Sequence, residues 1–420
     1  MKALRVERKL TKVAAARVAS AFGAGRGAGL GPLRLTETGT PEHLGDGWVG
    51  VTPILSGICG SDLATVDGRT SRYFEDIVSF PFVPGHEIVG VVISDAVDAH
   101  GHALSAGQRV IIQPVLGCVA RALPLCEGCA SGNIGRCQNI SHGHVRPGLQ
   151  TGFCVDTGGG WSDGHIQVHT SQLFCVPDDL SDDDAVMVEP MACALHATLR
   201  ASYGPEDTVA IIGAGTLGLG VIASIDHAAH LGVAARPARV IVAARYQNQR
   251  ALASSLGADE VVPPEHLSRA VRLATRSGVV GPPSGRAHQL GGGAQVVIDC
   301  VGSESSLEES LRIVAPGGRI ILVGMPARTT IDLASLWQRE IELVGAYAYG
   351  VEDVGGELIP TFDLAIDLVR RHSLGRLVSA RYPLDRFEEA LAHAGAAGRR
   401  GSIKIVFEVG SRRATTKRED

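Results

Sequence analysis

One glycine-rich turn constrains the fold of this chain more than any other feature. Residues 208–212 form a short apolar run typical of a buried strand, and three glycines follow it at Gly213, Gly215 and Gly218. The first glycine permits a tight turn, the second lets the backbone approach a pyrophosphate, and the third permits close packing of helix on strand. The segment therefore predicts a dinucleotide-binding turn.

The residues after this turn favour the same interpretation. Thr216 and Leu217 begin a helical pattern that continues to residue 231, and a second strand pattern covers residues 240–243. A helix N-terminus at this place supplies N–H groups and a positive dipole end to phosphates. A glycine-rich turn with only a structural role is the alternative, and the strand–turn–helix–strand setting disfavours it.

The pattern of predicted secondary structure changes near residue 185. At 420 residues it is too long for one ordinary core, so more than one domain is expected. Alternating strand and helix patterns then predict a parallel sheet covered by helices on both faces. The predicted strands are 208–212, 240–243, 260–262, 295–299 and 319–324, and the predicted helices are 185–203, 217–231, 247–256 and 307–314. Residues 282–293 are predicted to form a turn-rich surface loop.

The regions on either side are of a different kind. Short β patterns broken by turn residues predict an antiparallel, barrel-like domain in the N-terminal half. The predicted strands there are 48–55, 88–93, 109–113 and 165–168. Near the C-terminus the predicted elements are helices at 361–371 and 385–393, a strand at 402–407 and a frayed tail at 411–420.

Composition excludes several classes of partner. The net charge of -5 and the lack of a basic stripe with interleaved aromatics argue against nucleic acid. The longest apolar run, residues 209–225, contains four glycines, so a strand and a helix explain it better than a membrane span. Arg17 interrupts the alanine-rich N-terminal stretch, which disfavours the alternative of a secretory signal. We therefore expect a cytoplasmic protein with no membrane partner.

Two groups of residues carry the chemistry of metal sites. Four cysteines lie within twenty residues, which in an intracellular enzyme favours a metal site over disulfides. They are Cys118, Cys126, Cys129 and Cys137. The second group offers the sulfur, nitrogen and oxygen donors of a catalytic zinc, which leaves one position open. Its members are Cys59, His86, Glu87 and Glu189. Taken singly, each of these residues also has an ordinary packing or capping role.

These segments together resemble the zinc-dependent medium-chain dehydrogenase/reductase family, in its polyol and secondary-alcohol branch. The matching segments are GICGSDL at 57–63, PGHEIVG at 84–90, VEPMACALHA at 188–197, GAGTLG at 213–218, DCVG at 299–302 and APGGRIILVG at 315–324. The resemblance implies an α/β fold with a GroES-like β-barrel catalytic domain and a Rossmann doubly wound parallel-sheet domain. It places the catalytic domain at 1–184, the Rossmann domain at 185–340, and the return to the catalytic domain with the tail at 341–420.

The resemblance also implies a catalytic zinc. The zinc ligands that it implies are Cys59, His86 and Glu189, with Glu87 able to bind zinc or exchange with water. Ser61 matches the hydroxyl that passes on the proton of the alcohol, and Asp62 matches a carboxylate that orients the histidine. The histidine that often ends this relay is replaced by Ala64, and Leu116 and Trp161 are candidate pocket residues that core packing would explain equally well.

The cysteine group departs from the family pattern at one position. Cys126, Cys129 and Cys137 match the second to fourth ligands of the structural zinc of the family, whereas Leu123 stands at the first. Cys118 is the candidate replacement, provided that the intervening residues loop out. Four reduced, packed thiols are the alternative to this second zinc.

The reaction implied by the resemblance is reversible hydride transfer between an alcohol and a nicotinamide cofactor. Ala244 stands where NAD-binding members carry an acid for the ribose hydroxyls, and Arg245 and Arg250 offer cations for a 2′-phosphate. We therefore expect NADP(H) to be favoured over NAD(H), with Arg245 as a solvated loop charge the alternative. The partner is a small-molecule alcohol or carbonyl substrate. A homodimer and a homotetramer are both compatible with the sequence. The alternative functions are a zinc-free reductase of the same superfamily and a non-catalytic cofactor-binding protein.

Overall fold

The computed structural model describes residues 1–280, 288–290 and 292–410. The strands are β1 (Lys2–Val6), β2 (Leu33–Glu37), β3 (Trp48–Gly57), β4 (Ile88–Val92), β5 (Ala96–Val97), β6 (Ala103–Leu104), β7 (Arg109–Ile112), β8 (Ile166–His169), β9 (Leu173–Cys175), β10 (Thr208–Ile212), β11 (Arg239–Ala243), β12 (Glu260–Val262), β13 (Gly278–Val280), β14 (His288–Leu290), β15 (Ala294–Asp299), β16 (Val314–Leu322), β17 (Glu342–Gly345), β18 (Val351–Val354), β19 (Glu357–Pro360), β20 (Val378–Tyr382) and β21 (Lys404–Glu408). The α-helices are α1 (Leu10–Ser20), α2 (Gly60–Val66), α3 (Glu127–Ala130), α4 (Asp182–Arg200), α5 (Thr216–His230), α6 (Gln247–Ser255), α7 (Leu267–Ala274), α8 (Glu304–Ile313), α9 (Ala334–Gln338), α10 (Thr361–His372) and α11 (Phe387–Gly395).

A six-stranded parallel sheet organises the middle of the chain. Its order is β12-β11-β10-β15-β16-β17, which is 3-2-1-4-5-6 in chain order, the doubly wound arrangement of a Rossmann fold. Every residue of β10 is buried, as expected for a parallel strand covered on both faces. The predicted Rossmann architecture is confirmed.

The glycine turn after β10 is required by sterics. Gly213 has φ +94, a left-handed conformation that favours glycine. A Cβ on Gly218 would lie 1.9 Å from the carbonyl oxygen of Gly213, so a larger residue would force helix α5 away from the strand. A Cβ on Gly215 would meet nothing within 4 Å, which leaves open space beside the N-terminus of α5.

A second sheet joins the N-terminal and C-terminal parts of the chain. Its order is β20-β21-β3-β4-β7-β9, with β8 also paired to β3. The C-terminal strand β21 runs antiparallel to β3, pairing Val406 with Gly57. Helix α4 leads from this sheet to the parallel one, and its residues join Leu55 of the β-rich part and Ile211 of the parallel sheet in one core.

Several predicted elements differ from the structure, some only at their ends, as where the helix predicted at 185–203 spans Asp182–Arg200 and the helix predicted at 385–393 spans Phe387–Gly395. β14 pairs antiparallel with β13 inside the predicted 282–293 loop, and residues 281–287 and 291 of that loop lie outside the described residues, as does the predicted tail. Helix α8 begins at Glu304 rather than 307. Strand β16 begins at Val314 rather than 319, because Val314 pairs with Ala294 before a register shift resumes the pairing at Arg319. Backbone pairing of this kind leaves no periodic signal in the side chains.

The long N-terminal segment forms a hairpin with a helical insertion. β1 and β2 pair antiparallel, and α1 lies between them in the chain. The Asp67 carboxylate accepts hydrogen bonds from the backbone N–H groups of Gly25 and Gly27 at 2.9 and 3.0 Å, and Arg17 Nε donates to the carbonyl of Gly68 at 2.6 Å. The insertion is therefore fastened to the end of α2. Among the described residues, no helix is both long and apolar enough to cross a bilayer.

Candidate active site and cysteine lobe

The N-terminus of α2 positions the first candidate ligand. Cys59 is the residue that caps this helix, and Asp62 in its first turn accepts a hydrogen bond from the Cys59 backbone N–H at 3.0 Å. The other oxygen of Asp62 lies 3.6 Å from Nδ1 of His86. Asp62 is buried, so one carboxylate fixes the helix start and faces the histidine. Ser61 lies half-buried on the same turn.

His86 and Glu87 immediately precede strand β4 and are both buried. One ligand atom from each of Cys59, His86 and Glu87 lies within 4.8 Å of the others. Burial is the largest single influence on the pKa of His86 and lowers it, but the Asp62 carboxylate and the Cys59 sulfur together outweigh burial, so this pKa lies well above its ordinary value. The structure thus brings together three of the four predicted donors.

Lys404 is a buried partner of this cluster that sequence reasoning missed. It enters from β21, its Nζ contacts the Glu87 carboxylate, and it donates to the carbonyl of Ile58 at 3.3 Å. Both charged side chains are only 2% exposed, so each neutralises the other inside the protein. The available signal was a lysine at the start of an apolar strand, which is unusual unless the charge is paired.

Glu189 lies outside the 4.8 Å group of three. It is buried on α4, where the hydroxyl of Tyr349 donates to its Oε1 at 3.2 Å and the thiol of Cys193 lies 3.7 Å from the same oxygen. Burial raises the pKa of Glu189 to about 7, while the charge of His86 opposes that rise. Glu189 is thus within electrostatic reach of the cluster, and Tyr349 and Cys193 were not predicted from the sequence.

The two candidate pocket residues belong to the core instead. Leu116 is fully buried in a cluster with Trp48 and Val145. Trp161 is also fully buried, and its Nε1 donates to the carbonyl of Gly57 at 3.2 Å. Their packing role, which the sequence left open, is the one that the structure shows. Ala64, in contrast, is half-buried on α2.

The four cysteines of the second group converge in one lobe. Their sulfur atoms lie within 4.8 Å of one another, and those of Cys118 and Cys137 are 3.7 Å apart. Backbone N–H groups point at the sulfurs, from Cys126 to Cys118 and from Gln138 to Cys126, each at 3.4 Å. Cys118 therefore reaches the position that Leu123 leaves without a ligand.

Arg121 braces the turn that delivers Cys118. Its side chain is fully buried and donates to five backbone carbonyls. These carbonyls belong to Leu116, His142, Val145, Arg146 and Gly148. The sequence predicts only that this arginine lies in a segment that loops out between Cys118 and Cys126. Its donors are satisfied by carbonyls that only the folded lobe brings together, which is why its role could not be predicted.

The end of β11 carries the predicted cofactor determinants. Ala244 is buried and Arg245 is exposed, and no described side chain pairs with the Arg245 guanidinium. Arg250 donates to the carbonyls of Ala244 and Arg245 at 3.2 and 2.9 Å. Arg250 therefore supports this loop through its backbone, and Arg245 is the freer of the two cations.

Comparison with known proteins identifies both halves of the chain. Residues 45–178 match the alcohol dehydrogenase GroES-like domain, and residues 218–368 match the zinc-binding dehydrogenase family. An L-idonate 5-dehydrogenase of Vitis vinifera is 28% identical over 84% of this chain and 86% of that protein. A sorbitol dehydrogenase of Arabidopsis thaliana is 26% identical over the same shares.

A solved structure shares the fold over nearly its full length. It is a zinc-binding dehydrogenase from Sinorhizobium meliloti 1021 bound to NADP, with a TM-score of 0.66 and 24% identity, covering 97% of this chain and 98% of that chain. The chain belongs to the zinc-dependent medium-chain dehydrogenase/reductase family, in its polyol branch, and is a nicotinamide-linked alcohol dehydrogenase.

Proposed function

We propose that this enzyme catalyses reversible hydride transfer between a polyol or related secondary alcohol and NADP(H), with a catalytic zinc held by Cys59, His86 and Glu189. The observation that carries the proposal is the cluster of Cys59, His86 and Glu87, whose ligand atoms lie within 4.8 Å of one another, with the buried Glu189 carboxylate in electrostatic reach of it. The two plant relatives, named for L-idonate and sorbitol, support a polyol-type substrate.

The residues present fit a zinc ion. Sulfur, imidazole and carboxylate donors are the set that zinc binds in catalytic sites. Because Nδ1 of His86 faces Asp62, its Nε2 is the ring nitrogen available to a metal. When bound, zinc would lower the pKa of the alcohol and stabilise developing negative charge on its oxygen.

The surrounding residues have separate tasks in this proposal. Asp62 holds the tautomer and orientation of His86, and Tyr349 fixes the Glu189 carboxylate through its hydrogen bond. Lys404 neutralises Glu87, so that a second carboxylate beside the ligands adds no net charge. Ser61 takes the proton from the alcohol and passes it to water, since Ala64 offers no acceptor.

The cofactor turn and the end of β11 support the choice of NADP(H). The open space at Gly215 lets a pyrophosphate approach the N-terminus of α5. Buried Ala244 places no negative charge against a 2′-phosphate, and exposed Arg245 is available to bind one.

Cofactor preference is testable by a double substitution. A charge-assisted hydrogen bond to phosphate contributes about 1.5–3 kcal/mol, or roughly ten- to a hundredfold in preference. We expect kcat/KM to favour NADP(H) in the wild type, and Ala244→Asp with Arg245→Ile to shift the preference toward NAD(H). Gln substitution of exposed Arg26 is the matched control. A wild-type preference for NAD(H) would refute the role given to Arg245.

The reaction itself is tested by absorbance of the reduced nicotinamide. Zinc-loaded enzyme is expected to oxidise sorbitol or L-idonate with NADP⁺, or to reduce the corresponding ketones with NADPH. Metal-stripped enzyme is expected to lose this activity and regain it with zinc. Full turnover by the metal-free protein would contradict the proposed mechanism.

We further propose a second zinc in the cysteine lobe, a homodimer or homotetramer, and a cytoplasmic location. The convergence of four sulfurs supports the second zinc.

The edge of the parallel sheet supports the proposed oligomer. Strand β17 ends the six-stranded sheet and exposes 45% of Leu343, so a second copy has an unpaired edge and apolar surface to bind. Sedimentation analysis of the purified enzyme tests the assembly, with a monomer as the contradicting result.

A further inference from the structure

A small cavity has two arginines among its lining residues. It has a volume of about 90 Å³ and lies between the cysteine lobe, the C-terminal half of α4 and the segment after β17. Arg136 of the lobe and Arg200 of α4 both line it, together with His196 and Tyr349. Such a volume accommodates one small polar group.

The two arginines have no carboxylate partner among the described residues. Arg136 is exposed, and Nε of Arg200 is buried without a hydrogen-bond acceptor. Burial lowers the pKa of Arg200, and the neighbouring charge of Arg136 lowers it further. Two like charges sharing a partly buried space repel each other, and an anion between them would relieve that repulsion.

The acid whose charge acts on Arg200 already has other partners. The Glu352 carboxylate, whose charge acts on Arg200, accepts a hydrogen bond from Thr361 at 2.9 Å and lies 2.7 Å from Nδ1 of His196. The other nearby cation, Arg319, is paired with Glu342 at 2.6 Å. The charge at the cavity therefore remains positive.

Tyr349 connects this cavity to the catalytic cluster. Tyr349 is one of the lining residues, and its hydroxyl donates to Glu189. Glu189, His196 and Arg200 also follow one another on α4 at spacings of seven and four residues, which places them along one face of the helix. The helical rise separates the backbones of Glu189 and Arg200 by about 16 Å along the axis of α4.

From this geometry we infer that the substrate is an anionic polyol, whose terminal carboxylate or phosphate monoester binds between Arg136 and Arg200 while its alcohol lies at the Cys59 cluster. This inference rests on the proposed function and narrows its substrate class. Guanidinium groups bind both kinds of oxyanion through paired hydrogen bonds, so the two sources share one recognition chemistry. The competing explanation is that Arg200 only balances the C-terminal dipole of α4.

Kinetics on matched substrates test the inference. The probes are sorbitol, sorbitol 6-phosphate and L-idonate, and the variants are Arg200→Gln and Arg136→Gln, with Arg26→Gln as the control of equal charge. We expect wild-type kcat/KM to be at least tenfold higher for one of the anions than for sorbitol, and the favoured anion identifies the source. Arg200→Gln should lose about ten- to a hundredfold on that anion, mainly through KM, with less than a twofold change on sorbitol.

Two controls separate this site from the cofactor site and from the reaction itself. Inorganic phosphate should compete with the anionic substrate in the wild type, and the KM for NADP⁺ should be unchanged in Arg200→Gln. Equal kcat/KM for all three alcohols, no competition by phosphate, or an equal loss on all three in Arg200→Gln would overturn the inference and leave the proposed function standing. No turnover of any alcohol or its ketone by zinc-loaded enzyme would overturn the proposed function, and the inference with it.

Discussion

The cysteine lobe and the Cys59 cluster are two candidate metal sites with opposite designs. The lobe presents four sulfurs to one another, backbone N–H groups donate to them, and the buried Arg121 donates to carbonyls of the same lobe. The Cys59 cluster mixes sulfur, imidazole and carboxylate beside a buried lysine, and Glu189, which accepts a hydrogen bond from a tyrosine hydroxyl, lies outside it. Four protein ligands close a metal site, whereas three leave room for a substrate. The comparison therefore predicts that the lobe stabilises the fold and that the cluster carries the reaction.

The largest expected effect comes from the first ligand of the cluster. Cys59→Ser should lower kcat/KM on the order of a thousandfold, because the variant loses the zinc that stabilises developing charge. Its melting temperature and cofactor affinity should stay close to those of the wild type. Steady-state kinetics and thermal unfolding measure the two effects, and a large loss of stability without loss of activity would reverse the comparison.

A ligand of the lobe should show the reverse pattern. Metal binding contributes directly to folding in closed sites, so Cys129→Ala should lower the melting temperature by several degrees while folded protein keeps most of its activity. Cys175→Ala, which removes a half-buried thiol outside both sites, is the matched control. If Cys129→Ala and Cys175→Ala unfold at the same temperature, the four thiols are packed without metal.

The brace of the lobe should matter nearly as much as a ligand. Arg121→Met keeps most of the side-chain volume but leaves buried carbonyls without donors, which costs about 3 kcal/mol in the free energy of unfolding. Denaturant unfolding measures this cost, and Arg26→Met on the surface is the control. An unchanged unfolding free energy would show that water replaces the guanidinium in the lobe.

A pH titration gives the smallest effect and concerns the cluster alone. Glu189 has its pKa raised by burial to about 7, and zinc binds only its ionised form. Protonation therefore competes with zinc as the pH falls, and the apparent affinity of the cluster should drop about fivefold between pH 7 and 6 through this group. Chelator competition measures it. A Glu189→Gln variant should lack this contribution, and an identical pH dependence in both proteins would exclude Glu189 as a ligand.

The sequence predicted the helices and strands whose apolar residues recur at a regular spacing. It did not predict the contacts between side chains that are far apart in the chain. β10 was predicted to the residue, because an apolar run between polar residues and a glycine turn marks both of its ends. The convergence of Cys118 with the other three cysteines was also predicted, because cysteine is recognisable in a sequence as a metal ligand by residue type alone. The proposed domain boundaries at 184 and 340 stay predictions.

The missed residues share a physical cause. Lys404 and Tyr349 lie more than 150 residues beyond the side chains that they contact, and nothing in their local sequence names those partners. Arg121 donates to carbonyls of a loop over twenty residues away. Its sequence context suggests a solvent-exposed charge, whereas these hydrogen bonds allow the side chain to be buried. Long-range hydrogen bonding of single side chains has no period, and periodicity is what a single sequence reveals.

Zinc content measured together with turnover tests the central claim most directly. Elemental analysis of wild type, Cys59→Ser and Cys129→Ala, with NADPH-linked kinetics on the same samples, compares the two sites in one experiment. The account predicts two zinc ions per chain in the wild type and one in each variant, with activity lost in Cys59→Ser and retained in Cys129→Ala. One zinc in the wild type, or full activity in a Cys59→Ser protein without its zinc, would contradict it.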